Sequence, residues 1–137
     1  RLRGYYLYPE GARTGQPDPD VAALIEAERA RKGIVAQPVT DDEIRARCLA
    51  AMANEGARIL AEGIAQRPSD IDAAMLFGFG FPRHRGGPMH EADRVGPAVM
   101  RQRLAGYAAL NDAWFWQPAA MWDDLVKTGR RFADLDE

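Results

Sequence analysis

Five features of this sequence carry residue types that could do chemistry: the turn Gly78-Phe79-Gly80, the histidines His84 and His90, the single cysteine Cys48, the arginines Arg83 and Arg85, and Glu55. Gly78 and Gly80 invite comparison with a dinucleotide fingerprint. That fingerprint requires GxGxxG between a strand and a helix, with the third glycine allowing close packing. Here the third position is Arg83 and a helical pattern precedes the turn, so Gly78-Phe79-Gly80 reads as a structural turn. His90 adjoins Glu91, but neighbours in sequence diverge on a helix, so the pair does not form a proton-transfer couple. No zinc spacing links the histidines to Cys48, and no metal ligand is expected. Cys48 falls in an apolar stripe with no histidine nearby in sequence, which describes an inert core thiol. The guanidinium groups of Arg83 and Arg85 suit phosphate, although a short basic loop is more ordinarily just solvated.

Glu55 is the remaining candidate. It falls close to the apolar stripe of a long helix, and a buried carboxylate must be paired or hydrogen-bonded. Arg47 or backbone N–H groups after Gly78 could hold it. Such a group ties helices together more often than it acts as a base.

The elements that would position these residues are helical. GYYLY (Gly4 to Tyr8) reads as a short extended arm, and the Pro- and Gly-rich stretch up to Pro17 reads as a linker. A helix starts at Asp18, with Pro19 at its first position, and stops at Gly33. The strongest element runs from Thr40 to Glu62. Thr40 and Glu43 form a capping box, and Ile44, Cys48, Met52, Ile59 and Leu60 share a stripe. Gly63 closes the helix in the left-handed conformation, with Ile64 folding back on Ile59. Ser69 is expected to cap a third helix, which ends near Gly78. Phe79 to Pro88 is then loop, with Gly80 or Gly87 candidates for positive φ. A helix from about Val95 to Trp114 and a last one near Pro118 complete an all-α fold of about five helices. Residues 1–17 are read as arm and linker from a preceding domain, and 18–137 as the helical domain.

The totals narrow the function. With 137 residues, 47% of them apolar, one core can form without staples. The net charge of −2 excludes the concentrated positive field that nucleic acid demands. No run approaches the roughly 18 apolar residues of a membrane span. One cysteine suits a reducing compartment. The start Arg1-Leu2-Arg3-Gly4, lacking methionine, is expected of an internal stretch of a longer chain. Abundant Ala and Arg suggest a GC-rich bacterial genome, hence a bacterial cytoplasmic protein.

Two stretches resemble a known family. One runs from Asn54-Glu55-Gly56-Ala57-Arg58 through Glu62-Gly63-Ile64-Ala65 to Ser69-Asp70-Ile71-Asp72. The other runs from Gly78-Phe79-Gly80-Phe81-Pro82-Arg83 to Gly86-Gly87-Pro88-Met89, with Asp93 and Gly96 beyond it. Together they resemble the C-terminal repeat of the 3-hydroxyacyl-CoA dehydrogenase part of multifunctional fatty-acid β-oxidation enzymes. The resemblance extends from GYYLY to Phe132. It implies a helical domain of the 6-phosphogluconate dehydrogenase C-terminal-like kind, whose motif residues Glu55, Gly63, Asp72, Gly78, Gly80, Pro82, Gly87, Pro88 and Asp93 are structural. It implies a parent that uses NAD on acyl-CoA substrates and is fused to an enoyl-CoA hydratase. This chain would be the second helical copy, preceded by a Rossmann domain and a first copy.

In the first copy the family carries Asn followed by Arg near the reacting acyl group. Aligned through Arg47, Glu55 and Gly63, that Asn position is Ala46 here. The family's catalytic His and Glu belong to the Rossmann part, so the resemblance implies no catalytic residue and no cofactor site in this chain. The expected role is packing against the first copy and support of the acyl-CoA site. Two alternatives stand beside it: direct CoA contact through Arg83 and Arg85, and an independent adaptor that forms a homodimer when isolated.

Overall fold

The computed structural model describes residues 4–110 and 113–136. These divide into two compact units, one reaching to Val39 and one beginning at Thr40. The boundary read at Asp18 is where the first helix begins, inside the first unit.

In the first unit Tyr6–Leu7 (β1) and Gln16–Pro17 (β2) pair antiparallel, Tyr6 opposite Pro17 and Leu7 opposite Gln16. The extended reading of GYYLY is therefore met, and part of the expected linker serves as its partner strand. Helix α1 (Pro19–Lys32) follows. Asp18 Oδ1 accepts the Asp20 N–H, and Gly33 ends the helix at φ 64°. α1 buries none of its residues.

Among its described residues the second unit holds five α-helices: α2 (Asp41–Ala61), α3 (Pro68–Gly78), α4 (Pro88–Val95), α5 (Pro97–Leu110) and α6 (Ala120–Thr128). Three 3₁₀ turns punctuate them, at Arg83–Arg85, Trp114–Trp116 and Phe132–Leu135. The all-α expectation holds.

Both ends of α2 form as the sequence predicts. Thr40 Oγ1 accepts the Glu43 N–H, Gly63 stands at φ 70°, and the Gly63 and Ile64 N–H groups donate to Leu60 and Ile59 carbonyls. These two bonds are the Schellman pair. The reciprocal half of the capping box differs, because the Glu43 carboxylate accepts from Arg47 at 2.8 Å.

The buried face of α2 is not the expected stripe. It consists of Ala50, Ala53, Asn54, Gly56 and Ala57, while Ile44 is exposed and Cys48 is an exposed free thiol. The reason is close approach. A Cβ on Gly56 would lie 2.4 Å from Met89 Sδ, so α4 packs close on α2 at this glycine. Met100, Leu104, Trp122, Leu125 and Phe132 fill the rest of the core.

Three further boundaries move. Arg67, not Ser69, occupies the N-cap of α3, because Pro68 takes the first helical position. Part of the expected loop is helix, for α4 begins at Pro88. The expected Val95-to-Trp114 helix is broken by Gly96 at φ 96°, with Pro97 restarting the chain as α5. Positions 111 and 112 of that expected helix lie outside the described residues.

Candidate functional site

The first turn of any helix leaves backbone N–H groups without intrahelical acceptors. Three short segments here solve that problem with carboxylates from one another. Asp72 of α3 accepts from Met89 N (2.8 Å) and His90 N (3.0 Å), the second and third amides of α4. Asp93 of α4 accepts from Phe132 N (2.8 Å) and Ala133 N (2.9 Å), opening the C-terminal 3₁₀ turn. Asp136 of that turn accepts from Ser69 N (3.0 Å) in the first turn of α3. Each segment thus caps the next, and the ring closes. The three carboxylates line one cavity of about 340 Å³, with His90 and Phe77 also on its wall.

Each negative group also meets the positive end of a short helix or turn, which favours its charge. Asp72 is nevertheless held above the usual carboxylate range, chiefly by burial, while the Met89 and His90 N–H groups pull the other way. Gly87 is what admits it. A Cβ there would lie 2.2 Å from Asp72 Oδ1, and the backbone stands at φ 117°. Gly86 gives the same clearance to the His90 ring.

A second polar centre, unread in the sequence, is Asn54. It is fully buried. Its Oδ1 accepts from Ala119 N and Trp122 Nε1, and its Nδ2 donates to the Phe115 and Gln117 carbonyls, all at 2.9 Å. Arg58 reinforces the same loop, donating to the Trp114 carbonyl at 3.0 Å and the Gln117 carbonyl at 2.6 Å. The tie expected of Glu55 therefore belongs to its neighbour. Glu55 is exposed and faces Arg58 at 3.5 Å. Only a helical-wheel position relative to Gly56 and Ala57 could have pointed to Asn54, and those small residues look unimportant until their packing is known.

The glycine turn makes its own bonds. Phe79 and Phe81 N–H groups both donate to the Met75 carbonyl, and Gly80 stands at φ 71°. Gly78 is the last residue of α3 and Pro82 is exposed. The turn therefore follows a helix C-terminus, where carbonyl groups carry partial negative charge, and the Phe79 and Phe81 amides are occupied. A dinucleotide pyrophosphate needs the opposite arrangement, so these residues do not fit NAD.

Arg83 and Arg85 do not converge. The Arg83 guanidinium lies over the Phe77 ring at 5.5 Å, whereas Arg85 faces Glu91 at 3.6 Å. Glu91 is buried and also takes two nitrogens of Arg94, at 2.8 and 3.1 Å. His84 and His90 are exposed. Among the described residues every buried side-chain N or O has a partner. Among the described residues this arrangement pairs carboxylates with backbone amides and guanidinium groups, and no hydrogen bond joins a nucleophile to a base.

A family model for the 3-hydroxyacyl-CoA dehydrogenase C-terminal domain matches residues 44–132. The chain belongs to that family. It is 47% identical over 129 residues to the peroxisomal bifunctional enzyme of Danio rerio, covering 93% of this chain. It is 42% identical over 131 residues to the peroxisomal fatty acid beta-oxidation multifunctional protein AIM1 of Arabidopsis thaliana, again covering 93%. Similarity to the glyoxysomal multifunctional protein MFP-a of Brassica napus is 33% over 137 residues, covering 97%. The chain spans 18% of the length of each of these relatives. These proteins correct one expectation. They are peroxisomal and glyoxysomal enzymes of eukaryotes, which overturns the bacterial cytoplasmic assignment drawn from Ala and Arg content.

Proposed function

We propose that this chain is the second helical module of an NAD-dependent L-3-hydroxyacyl-CoA dehydrogenase within a multifunctional β-oxidation enzyme, and that it works by packing. On this reading residues 1–17 form an arm from a preceding domain and 18–137 the module itself. The module buttresses the first helical copy and holds the acyl-CoA site in shape, while a Rossmann domain binds NAD and carries the hydride chemistry. A supporting module can govern rate because reacting groups need placement to fractions of an ångström.

One observation carries the reading. The motif carboxylates Asp72 and Asp93 are spent on backbone amides of neighbouring segments, which makes them structural ties. Glu55, Gly63, Gly78, Gly80, Pro82, Gly87 and Pro88 join them as the structural motif. The test is an NADH-forming assay with a 3-hydroxyacyl-CoA. The chain alone is expected to give no turnover. A full-length multifunctional protein carrying Asp93→Ala is expected to lose dehydrogenase activity while its enoyl-CoA hydration persists. Turnover by the isolated chain would end the reading.

A further inference from the structure

At the junction of α2, α4 and α5 lies a second cavity, of about 180 Å³, on whose walls arginines predominate. Arg45 from α2, Arg85 from the 3₁₀ turn, Arg94 from α4 and Arg103 from α5 all line it, against two carboxylates, Asp42 and Glu91. Two positive charges are left over around a single small space. Leu49 and Met100 close it on the apolar side.

The charges are arranged, not scattered. Glu91 is buried, and its Oε2 lies between Arg85 at 3.6 Å and Arg94 at 2.8 Å, so one carboxylate fixes two guanidinium groups. Asp42 holds Arg45 at 2.6 Å. Among the described residues Arg103 has no carboxylate within ion-pair distance, and its side chain is exposed. Arg45 and Arg94 are also more than half exposed, so their outer N–H groups reach solvent at the mouth. Arg94 gives Nε and Nη2 to Glu91, so its remaining N–H groups and the uncommitted guanidinium of Arg103 are the donors left to match phosphate oxygens. A phosphate monoester carries about −1.5 to −2 charge at neutral pH, which matches the excess.

We propose that this cavity is an anion site for a phosphate monoester, with Arg94 and Arg103 as its principal donors. Ala46 lines the same space and keeps it open. A larger side chain on that turn of α2 would occupy the volume without altering any charge.

The site is tested by calorimetric titration of the full chain with inorganic phosphate and, separately, with adenosine 3′,5′-bisphosphate, against chloride at equal ionic strength. Saturable binding of the phosphates over chloride is expected. It should weaken roughly tenfold or more in Arg103→Gln, in line with loss of one charge-assisted hydrogen bond. Ala46→Leu should weaken it comparably by steric block, with melting temperatures of both variants unchanged. Bisphosphate binding at least tenfold tighter would assign the site to a nucleotide-borne phosphate, and equal affinities to free phosphate. Phosphates that bind no better than chloride would overturn the proposal. So would wild-type affinity in either variant, since one tests the charge and the other the cavity.

Discussion

The Trp122 indole N–H donates to Asn54 Oδ1 at 2.9 Å, joining α6 to α2 through two fully buried side chains. Asn54 uses its whole hydrogen-bonding capacity in this place, two bonds accepted and two donated. Asn54→Leu would leave the Trp122 and Ala119 N–H groups buried without acceptors, each costing about 1–3 kcal/mol. A loss of roughly 3–5 kcal/mol is expected, read as a lowered urea midpoint at unchanged slope. Asn54→Asp should fare little better, because its second oxygen would face the Phe115 and Gln117 carbonyls.

The glycines of the motif are not equivalent. Gly87 combines φ 117° with an Asp72 oxygen 2.2 Å from any added Cβ, whereas Gly80 at φ 71° has open space around it. Gly87→Ala must both strain the backbone and displace Asp72 from the start of α4, a cost of several kcal/mol, about 3 or more. Gly80→Ala meets only the left-handed penalty, about 1–2 kcal/mol. Gly78 is helical, without positive φ and without neighbours within 4 Å, so Gly78→Ala should stabilise by about 0.5–1 kcal/mol. Three melting temperatures decide this order, and Gly80→Ala falling below Gly87→Ala would refute it.

What could be read in the sequence were the features that act locally. Asp18-Pro19 and Gly33 bound α1, and Thr40 and Gly63 bound α2, because caps and left-handed stops are decided by residues a turn away. What could not be read depends on contacts across the fold. Hydrophobicity alone points to a stripe through Ile44, Cys48 and Met52, which the fold leaves exposed or half-buried. The interior face of α2 instead carries Ala50, Ala53 and Ala57, with Gly56 against Met89, because neighbouring segments pack close on it. α4 is illegible in the sequence because its flanking Gly87, Pro88 and Gly96 are loop signals one by one, and its N-terminal cap comes from Asp72 in another helix. The ring Asp136–Ser69, Asp72–Met89, Asp93–Phe132 spans up to 67 residues of sequence, beyond any local pattern.

Asp72 should leave a mark on the pH dependence of stability. Its carboxyl titrates above the ordinary range, chiefly because of burial, so the folded chain holds this proton more tightly than the unfolded one. A group shifted in that direction contributes stability that is full below the unfolded value, about 3.9, and lost as pH rises through the folded value. Asp72→Asn cannot ionise and lacks that slope. Compared with the variant, the wild type is therefore expected to lose stability as pH rises through the interval just above 3.9. Urea midpoints of both proteins across a pH series test this. Parallel curves, or a wild type that gains there, would show the sign to be wrong.

Asp93 offers the sharpest local test. Its two oxygens accept from Phe132 N and Ala133 N, and Phe132 in turn packs edge-on to Trp122 with ring centroids 5.0 Å apart. Phe132 is fully buried although it belongs to a four-residue 3₁₀ turn, and Asp93 holds the backbone that places it in the core. Hydrogen bonds to a charged acceptor are worth about 1.5–3 kcal/mol each. Asp93→Ala is expected to cost about 2–4 kcal/mol after allowing for partial exposure, and Asp93→Asn, which keeps one acceptor, about half as much. The loss should begin locally, because releasing Phe132 uncovers Trp122 before α2 and α4 separate. Arg130 and Arg131 lie exposed just ahead of Phe132, so trypsin reports the event directly. Cleavage after these arginines should accelerate in Asp93→Ala under conditions where cleavage within α2 does not. Equal acceleration at both places would mean that Asp93 stabilises the whole unit and not the docking of its end.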